Sequence, residues 1–349
     1  MPVLLYSPKM ETLARQVQAL DPERIELGIM EWQRFPDGFP DLRTFDPDLL
    51  RARDVAFLAC LDTPDRVFEE VSMMQKLAAL RPNSFRIALP YFPTGTMERG
   101  DEESQVVTAK TLASIMSTIA PSGSGPVPLY VWDLHALQNL EFFGQNIAPR
   151  GKWGVKTLLS KLRPGETAIA FPDEGAYKRF KRVFCDKDLK PLYPFVLCYK
   201  ERYGAGRKVR IIEGDPRGKD VVIIDDLIHS GGTIIKCLEA LKAAGAERVS
   251  AYATHGVMEE GAWRKFLTAG FDKVWITDTC PDTAKTVDGQ GPFEVLSIAE
   301  SVREAIMDGL RFNPTSAVAT LAAILQDHLA GKDIGPALAR LIDELKNRR

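Results

Sequence analysis

Residues 221–236, VVIIDDLIHSGGTIIK, put two adjacent carboxylates at the end of an apolar run and follow them with a loop holding two glycines. Side chains of such a run point to both faces of a central strand. Gly231 and Gly232 can adopt positive φ and turn their N–H groups inward. Downstream, Ile234, Ile235, Leu238 and Leu241 fall at helical spacing, and Gly245 supplies a stop. A glycine-rich loop opening a helix makes an anion site, because free N–H groups and the positive end of the helix dipole converge on it. Ser230 and Thr233 add hydroxyl donors. Asp225 and Asp226 would repel a phosphate that they faced; they make sense as acceptors for the hydroxyls of a sugar attached to that phosphate. The stretch describes a sugar-phosphate site, with a capped strand–helix turn that binds nothing as the competing reading.

Other apolar runs also end in polar groups: PLYVWDLH at Asp133–His135, TAIAFPDEG at Asp173–Glu174, RVSAYATHG at Thr254–His255 and KVWITDT at Asp278. With DVAFLACL (54–61), SFRIALPYF (84–92) and FEVLSIA (293–299) they alternate with helical patterns such as 104–120 and 231–246. Short apolar strands separated by helices predict an α/β fold of parallel sheets covered on both faces. In open α/β sheets ligands sit at the carboxyl ends of the strands. No GxxxxGK[ST] loop occurs, and no GxGxxG follows a strand, which argues against P-loop and dinucleotide enzymes.

The chain has 349 residues, 45% of them hydrophobic, with 45 basic against 47 acidic side chains. That length favours two domains, and a net charge of −2 gives no reason to expect nucleic acid or an acidic membrane as partner. Five scattered cysteines without CxxC spacing read as reduced thiols. No stretch approaches the ~20 apolar residues of a membrane span, so a soluble, cytoplasmic protein is expected. The segment around 146–154 marks a domain join, giving units at 1–148 and 149–310. Beyond RFNPTS (311–316), residues 311–349 read as a short helical tail, with Leu338, Leu341, Ile342 and Leu345 on one stripe.

The opening loop resembles the 5-phosphoribosyl 1-diphosphate loop of type I phosphoribosyltransferases. Over roughly residues 1–310 the chain resembles the ribose-phosphate diphosphokinase (phosphoribosyl diphosphate synthetase) family. The landmarks occur in that family's order: RFPDG (34–38), PYF…ER (90–99), TAK (108–110), DLHALQ…FF (133–143), FPDEG (171–175), KER (200–202), GD…GKDVVIIDD (214–226) and THG (254–256). FPDGF in place of FPDGE, PTGT (93–96) in place of a loop with Arg and Gln, and His229 in place of Asp resemble the plant-type, phosphate-independent class. Thr96, Met97 and Phe39 are part of these departures.

The resemblance implies two tandem phosphoribosyltransferase-type domains, with nucleotide bound between them and across a subunit boundary, hence a homo-oligomer of at least two chains. It implies transfer of a diphosphoryl group from Mg-ATP to the C1 hydroxyl of ribose 5-phosphate, releasing AMP. Lys200 and Arg202 match the family's mobile-loop cations and are the expected catalytic pair; in extended backbone their spacing sends both to one side. Phe35 would stack on adenine, Asp37 accept from its amino group, and Arg99 and His135 complete the ATP side. His135 and Asp173 match the metal-associated residues for Mg²⁺. Asp173, Glu174 and Gly175 would form the diphosphate loop, and Asp225, Asp226, His229, Ser230, Gly231, Gly232 and Thr233 the ribose 5-phosphate site. Lys178 and Arg179 read as opening a helix, a position unfavourable for cations that points toward a ligand. His255 is either near substrate or a satisfied strand-end histidine. The alternative function is a non-catalytic relative that binds synthetase subunits.

Overall fold

The computed structural model describes residues 1–309 apart from Phe45, Ala52, Asp101, Gly204, Ala205 and Glu260, and leaves out the side chains of residues 200–208. The expected tail at 311–349 and its apolar stripe lie outside the described residues.

The chain opens with strand β1 (Val3–Tyr6), helix α1 (Glu11–Leu20) and strand β2 (Glu26–Leu27). A hairpin of β3 (Met30–Arg34) and β4 (Pro40–Thr44) and a short helix α2 (Pro47–Arg51) follow. Next come β5 (Asp54–Leu58), α3 (Pro64–Ala79), β6 (Ser84–Leu89), α4 (Thr108–Met116), β7 (Val127–Trp132) and β8 (Ile147–Lys152). The second series is β9 (Thr167–Phe171), α5 (Glu174–Phe180), β10 (Phe195–Tyr203), β11 (Gly206–Glu213), β12 (Asp220–Ile228) and α6 (Gly232–Ala243). It closes with β13 (Arg248–Gly256), α7 (Arg264–Ala269), β14 (Val274–Thr277), α8 (Pro281–Val287), β15 (Phe293–Leu296) and α9 (Ala299–Met307).

Two sheets result. The first is parallel throughout, in the order β2-β1-β5-β6-β7-β8. The second runs β11-β10-β9-β12-β13-β14-β15, with only β11 antiparallel. Without β11, the second sheet repeats the winding of the first: β9 stands where β1 stood, β12 where β5 stood, β14 where β7 stood. The join expected at 148/149 falls inside β8, whose pairing with β7 runs from Ile147 to Lys152; the change of sheet comes between Lys152 and Thr167.

The eight apolar runs read from the sequence all contain strands, and their side chains are buried on both faces, as a helix-covered parallel sheet requires. Phe57, Phe85 and Val131 anchor one core, while Val196, Ile223, Leu241 and Phe266 anchor another. Each fully buried side chain of this size contributes roughly 1.5–3 kcal/mol. Helix α3 starts where Thr63 accepts from the Arg66 N–H and Pro64 takes the first helical position, which leaves no donor unsatisfied there.

Where the strand ends of the two sheets meet, buried polar groups interlock. Asp133, after β7, accepts from the Thr254 hydroxyl of β13 at 2.5 Å and from the Val155 N–H at 3.0 Å. Burial raises its carboxyl to about 7. His255 donates from Nε2 to the Trp132 carbonyl (3.1 Å), which turns Nδ1 toward the Thr279 hydroxyl (2.9 Å). A second junction surrounds a cavity of about 290 Å³, where Lys9 bridges Asp62 at 2.5 Å and Asp282 at 2.6 Å.

Glu70 of α3 is fully buried and accepts from the Cys60 N–H at 2.7 Å; burial raises its carboxyl to about 8. The folded state therefore favours the protonated acid. Its contribution is intact below the unfolded value near 4.5 and is lost as pH rises through about 8. Across that window stability should fall by about 1.4 kcal/mol per pH unit from this group alone. Urea unfolding at pH 5 and pH 8 should show a smaller drop for Glu70→Gln than for the parent chain; equal drops would contradict the buried-acid account.

Candidate functional site

A cavity of about 330 Å³ opens at the carboxyl ends of β9 and β12. Asp173 lines it from the end of the loop after β9, Gly175 and Arg179 from α5, and Asp225 to Ile234 from β12 and the start of α6; His135 reaches it from beyond β7. This gathering follows from the winding, since the chain reverses direction across the sheet beside β9 and β12.

The glycine loop behaves as its sequence demands. Gly231 sits at φ 77°, and a Cβ there would lie 2.5 Å from a ring carbon of Phe266. Only glycine meets both conditions. No side chain caps α6, and Gly232, Thr233 and Ile234 line the cavity, so the helix presents its positive end and first-turn N–H groups there. Ser230 lies alongside. The His229 ring, exposed to solvent, stands 3.1 Å from the Glu259 carboxylate.

Asp226 is 2% exposed and holds the center of the site. One carboxylate oxygen lies 2.8 Å from His135 Nδ1, and the other accepts from Arg179 at 2.5 Å. The Arg179 fork also donates to the His135 carbonyl, which closes a ring of three residues across the two sheets. Burial opposes ionization of Asp226, but the His135 hydrogen bond and the Arg179 guanidinium outweigh it and keep the carboxyl below the usual range. Its neighbor Asp225 accepts from the Asp226 N–H at 3.0 Å. Burial and the adjacent Asp226 charge push the Asp225 carboxyl well above its ordinary value.

Several expectations change here. Both carboxylate oxygens of Asp226 already have protein partners. Lys178 and Arg179 lie in the last turn of α5, where cations are favorable, instead of opening the helix. The cause is Asp173, whose side chain accepts from the Ala176 N–H at 3.0 Å and starts the helix early. An N-cap aspartate followed at once by Glu174 was the available signal. Glu174 faces away from the cavity lining and pairs with Lys178 at 2.8 Å. His255 is a buried, satisfied histidine, its proton affinity lowered to about 4 by burial.

Of the residues expected on the nucleotide side, His135 lines this cavity, whereas Phe35, Asp37 and Arg99 do not. Phe35 and Asp37 occupy the turn of the β3–β4 hairpin, with Phe35 52% exposed and Asp37 accepting from the Phe39 N–H at 3.1 Å. Arg99 is an exposed side chain beyond β6, 3.9 Å from Glu98. Lys200 and Arg202 belong to β10, opposite Val209 and Arg207 of β11. The backbone is thus extended as the spacing argument requires; their side chains lie outside the described residues.

A family model described as "Phosphoribosyl transferase domain" matches residues 193–282, from just before β10 to the start of α8. Over 314 residues the chain is 43% identical to ribose-phosphate pyrophosphokinase 3, mitochondrial, of Spinacia oleracea, covering 87% of this chain and 76% of that protein. The chain belongs to the ribose-phosphate pyrophosphokinase family. Identity to ribose-phosphate pyrophosphokinase 4 of Arabidopsis thaliana is 42% over 313 residues, covering 87% of this chain and 91% of that protein. The fold matches the crystal structure of phosphoribosylpyrophosphate synthetase from Mycobacterium smegmatis with a TM-score of 0.72 at 23% identity, covering 87% of this chain and 97% of that one. The family model falls within the second sheet's half of the chain, whereas the structural match covers 87% of the chain.

Gly231→Ala should strain the loop and collide with Phe266, costing about 1–3 kcal/mol. Thermal unfolding, together with calorimetric titration of ribose 5-phosphate, should show both lower stability and weaker binding. Unchanged binding would remove the loop from the site.

Proposed function

We propose that the protein makes 5-phosphoribosyl 1-diphosphate by transferring the β,γ-diphosphoryl group of ATP to the C1 hydroxyl of ribose 5-phosphate. The observation that carries this reading is one cavity joining an uncapped glycine loop, paired carboxylates and a histidine from the opposite sheet. The family's name supports the same reaction. The 5-phosphate occupies the Ser230–Thr233 loop, held by first-turn N–H groups and hydroxyls. Asp225 and Asp226 accept from the ribose hydroxyls, and each carboxylate oxygen of Asp226 keeps a second lone pair for this. The C1 oxygen then bonds to the β-phosphorus as the bond from that phosphorus to the bridging oxygen breaks. AMP leaves with that oxygen, and the hydroxyl proton passes to solvent.

Such a transfer depends on in-line positioning and on neutralizing charge on phosphate oxygens. Lys200 and Arg202, on the β10 strand, supply cations for this. Phe35 and Asp37 hold the adenine, with Arg99 on the phosphates. Mg²⁺ suits the cavity, where Asp225 already feels the charges of Asp226 and Asp173. Among the described residues no three acidic, His or Cys side chains form a ready-made metal group, so Asp173 and His135 would hold a largely water- and phosphate-ligated ion. Bound there, Mg²⁺ would offset negative charge on the transferring group.

The exposed Phe35 and Phe39 at the hairpin turn lie away from the sugar cavity, which favors a homo-oligomer in which a second chain completes the nucleotide site. A division into two tandem domains, the cytoplasmic setting and phosphate independence belong to the same reading. No described helix is long and apolar enough to cross a membrane. The non-catalytic alternative finds no support among relatives that carry the enzyme's name.

AMP formation from Mg-ATP should depend on ribose 5-phosphate and proceed in phosphate-free buffer. Lys200→Ala should lower kcat by at least ~100-fold, the order expected when a charge-neutralizing group is removed. No AMP with or without phosphate would sink the reading.

A further inference from the structure

We propose that Arg179 is a positioning residue for the transfer, whose planar fork fixes the sugar-side carboxylate and the nucleotide-side histidine in one geometry. This rests on the functional reading above. Arg179 donates to Asp226 of β12 and to the carbonyl of His135, which follows β7 of the other sheet. The same carboxylate meets the His135 ring, so the three residues close on one another. The Arg179 side chain is 13% exposed and lines the cavity, and its guanidinium packs over Phe180 with the central carbon 5.5 Å from the ring centroid.

Helix α5 carries Asp173 at its N-cap and Arg179 in its last turn, so one short rigid element presents both to the same cavity. A lysine could neutralize Asp226 but not span the carboxylate and the carbonyl together, because its ammonium is a point charge where guanidinium is a fork. The reaction needs the C1 oxygen and the β-phosphorus in line, while the groups that hold them come from different sheets. A misplacement of about 1 Å can cost ~100-fold in rate. Arg179 joins those two sources without itself touching the reacting atoms.

The test measures kcat, both KM values and thermal unfolding for the full chain, Arg179→Lys and Arg179→Gln. We expect both variants to lose roughly 100-fold in kcat, with KM for each substrate changed by less than about threefold. Arg179→Lys with parental kcat would overturn the proposal, as charge alone would then suffice. A raised ribose 5-phosphate KM at unchanged kcat would overturn it too, making Arg179 a substrate ligand. Parallel loss of folding and activity in both variants would reduce it to a structural residue. A parent chain without turnover would instead strike the functional reading.

Discussion

A buried negative charge on Asp226 organizes this molecule. Removing a partner from a buried ion pair costs roughly 3–5 kcal/mol because the remaining charge is left without compensation. The chain meets that demand with one group from each sheet, His135 and Arg179. The attraction that satisfies the carboxylate therefore also holds the two halves of the site together. Asp133 with Thr254 and His255 with the Trp132 carbonyl extend the joint into a polar seam. A seam of hydrogen-bonded polar groups fixes relative position more sharply than apolar packing, since each hydrogen bond tolerates little displacement.

Around that seam, rigidity and openness are divided by helix termini. Thr63 and Asp173 close the first turns of α3 and α5 with their own oxygens, whereas α6 begins at a left-handed glycine and no side chain caps it. The helix whose first turn lines the cavity thus keeps its leading N–H groups free of a side-chain cap. Meanwhile the strand carrying Lys200 and Arg202 pairs with an antiparallel neighbor that has no counterpart in the first sheet, where the equivalent stretch of chain forms the β3–β4 hairpin. Both excursions leave the repeated framework at the same point in its winding.

Much of this was legible beforehand. Eight strands, the helix after HSGGT and the gathering of polar strand ends followed from apolar runs and glycine chemistry, because those depend on neighbors in sequence. The β3–β4 hairpin and β8 did not announce themselves, since MEWQR and IAPRGK are half-exposed and lack apolar periodicity. The role of Arg179 was hidden for a different reason. Its partners lie 47 and 44 residues away, and its direction depends on where Asp173 starts the helix. Asp225 and Asp226 looked equivalent in sequence; only burial and the placement of Arg179 make one a held anion and the other a carboxyl resisting ionization.

The repeated winding has a consequence for stoichiometry. The turns after β9 and β12 line the sugar cavity, and the matching turns after β1 and β5 line the cavity around Lys9. The two mouths are topological twins. In the second, Thr63 caps the helix, residues 59–64 contain no glycine, and Lys9 already fills the space between Asp62 and Asp282. In the proposed reading one twin takes up an outside anion, whereas the other has written its counter-ion into its own sequence. A fold doubled in architecture thus carries a single transfer center per chain.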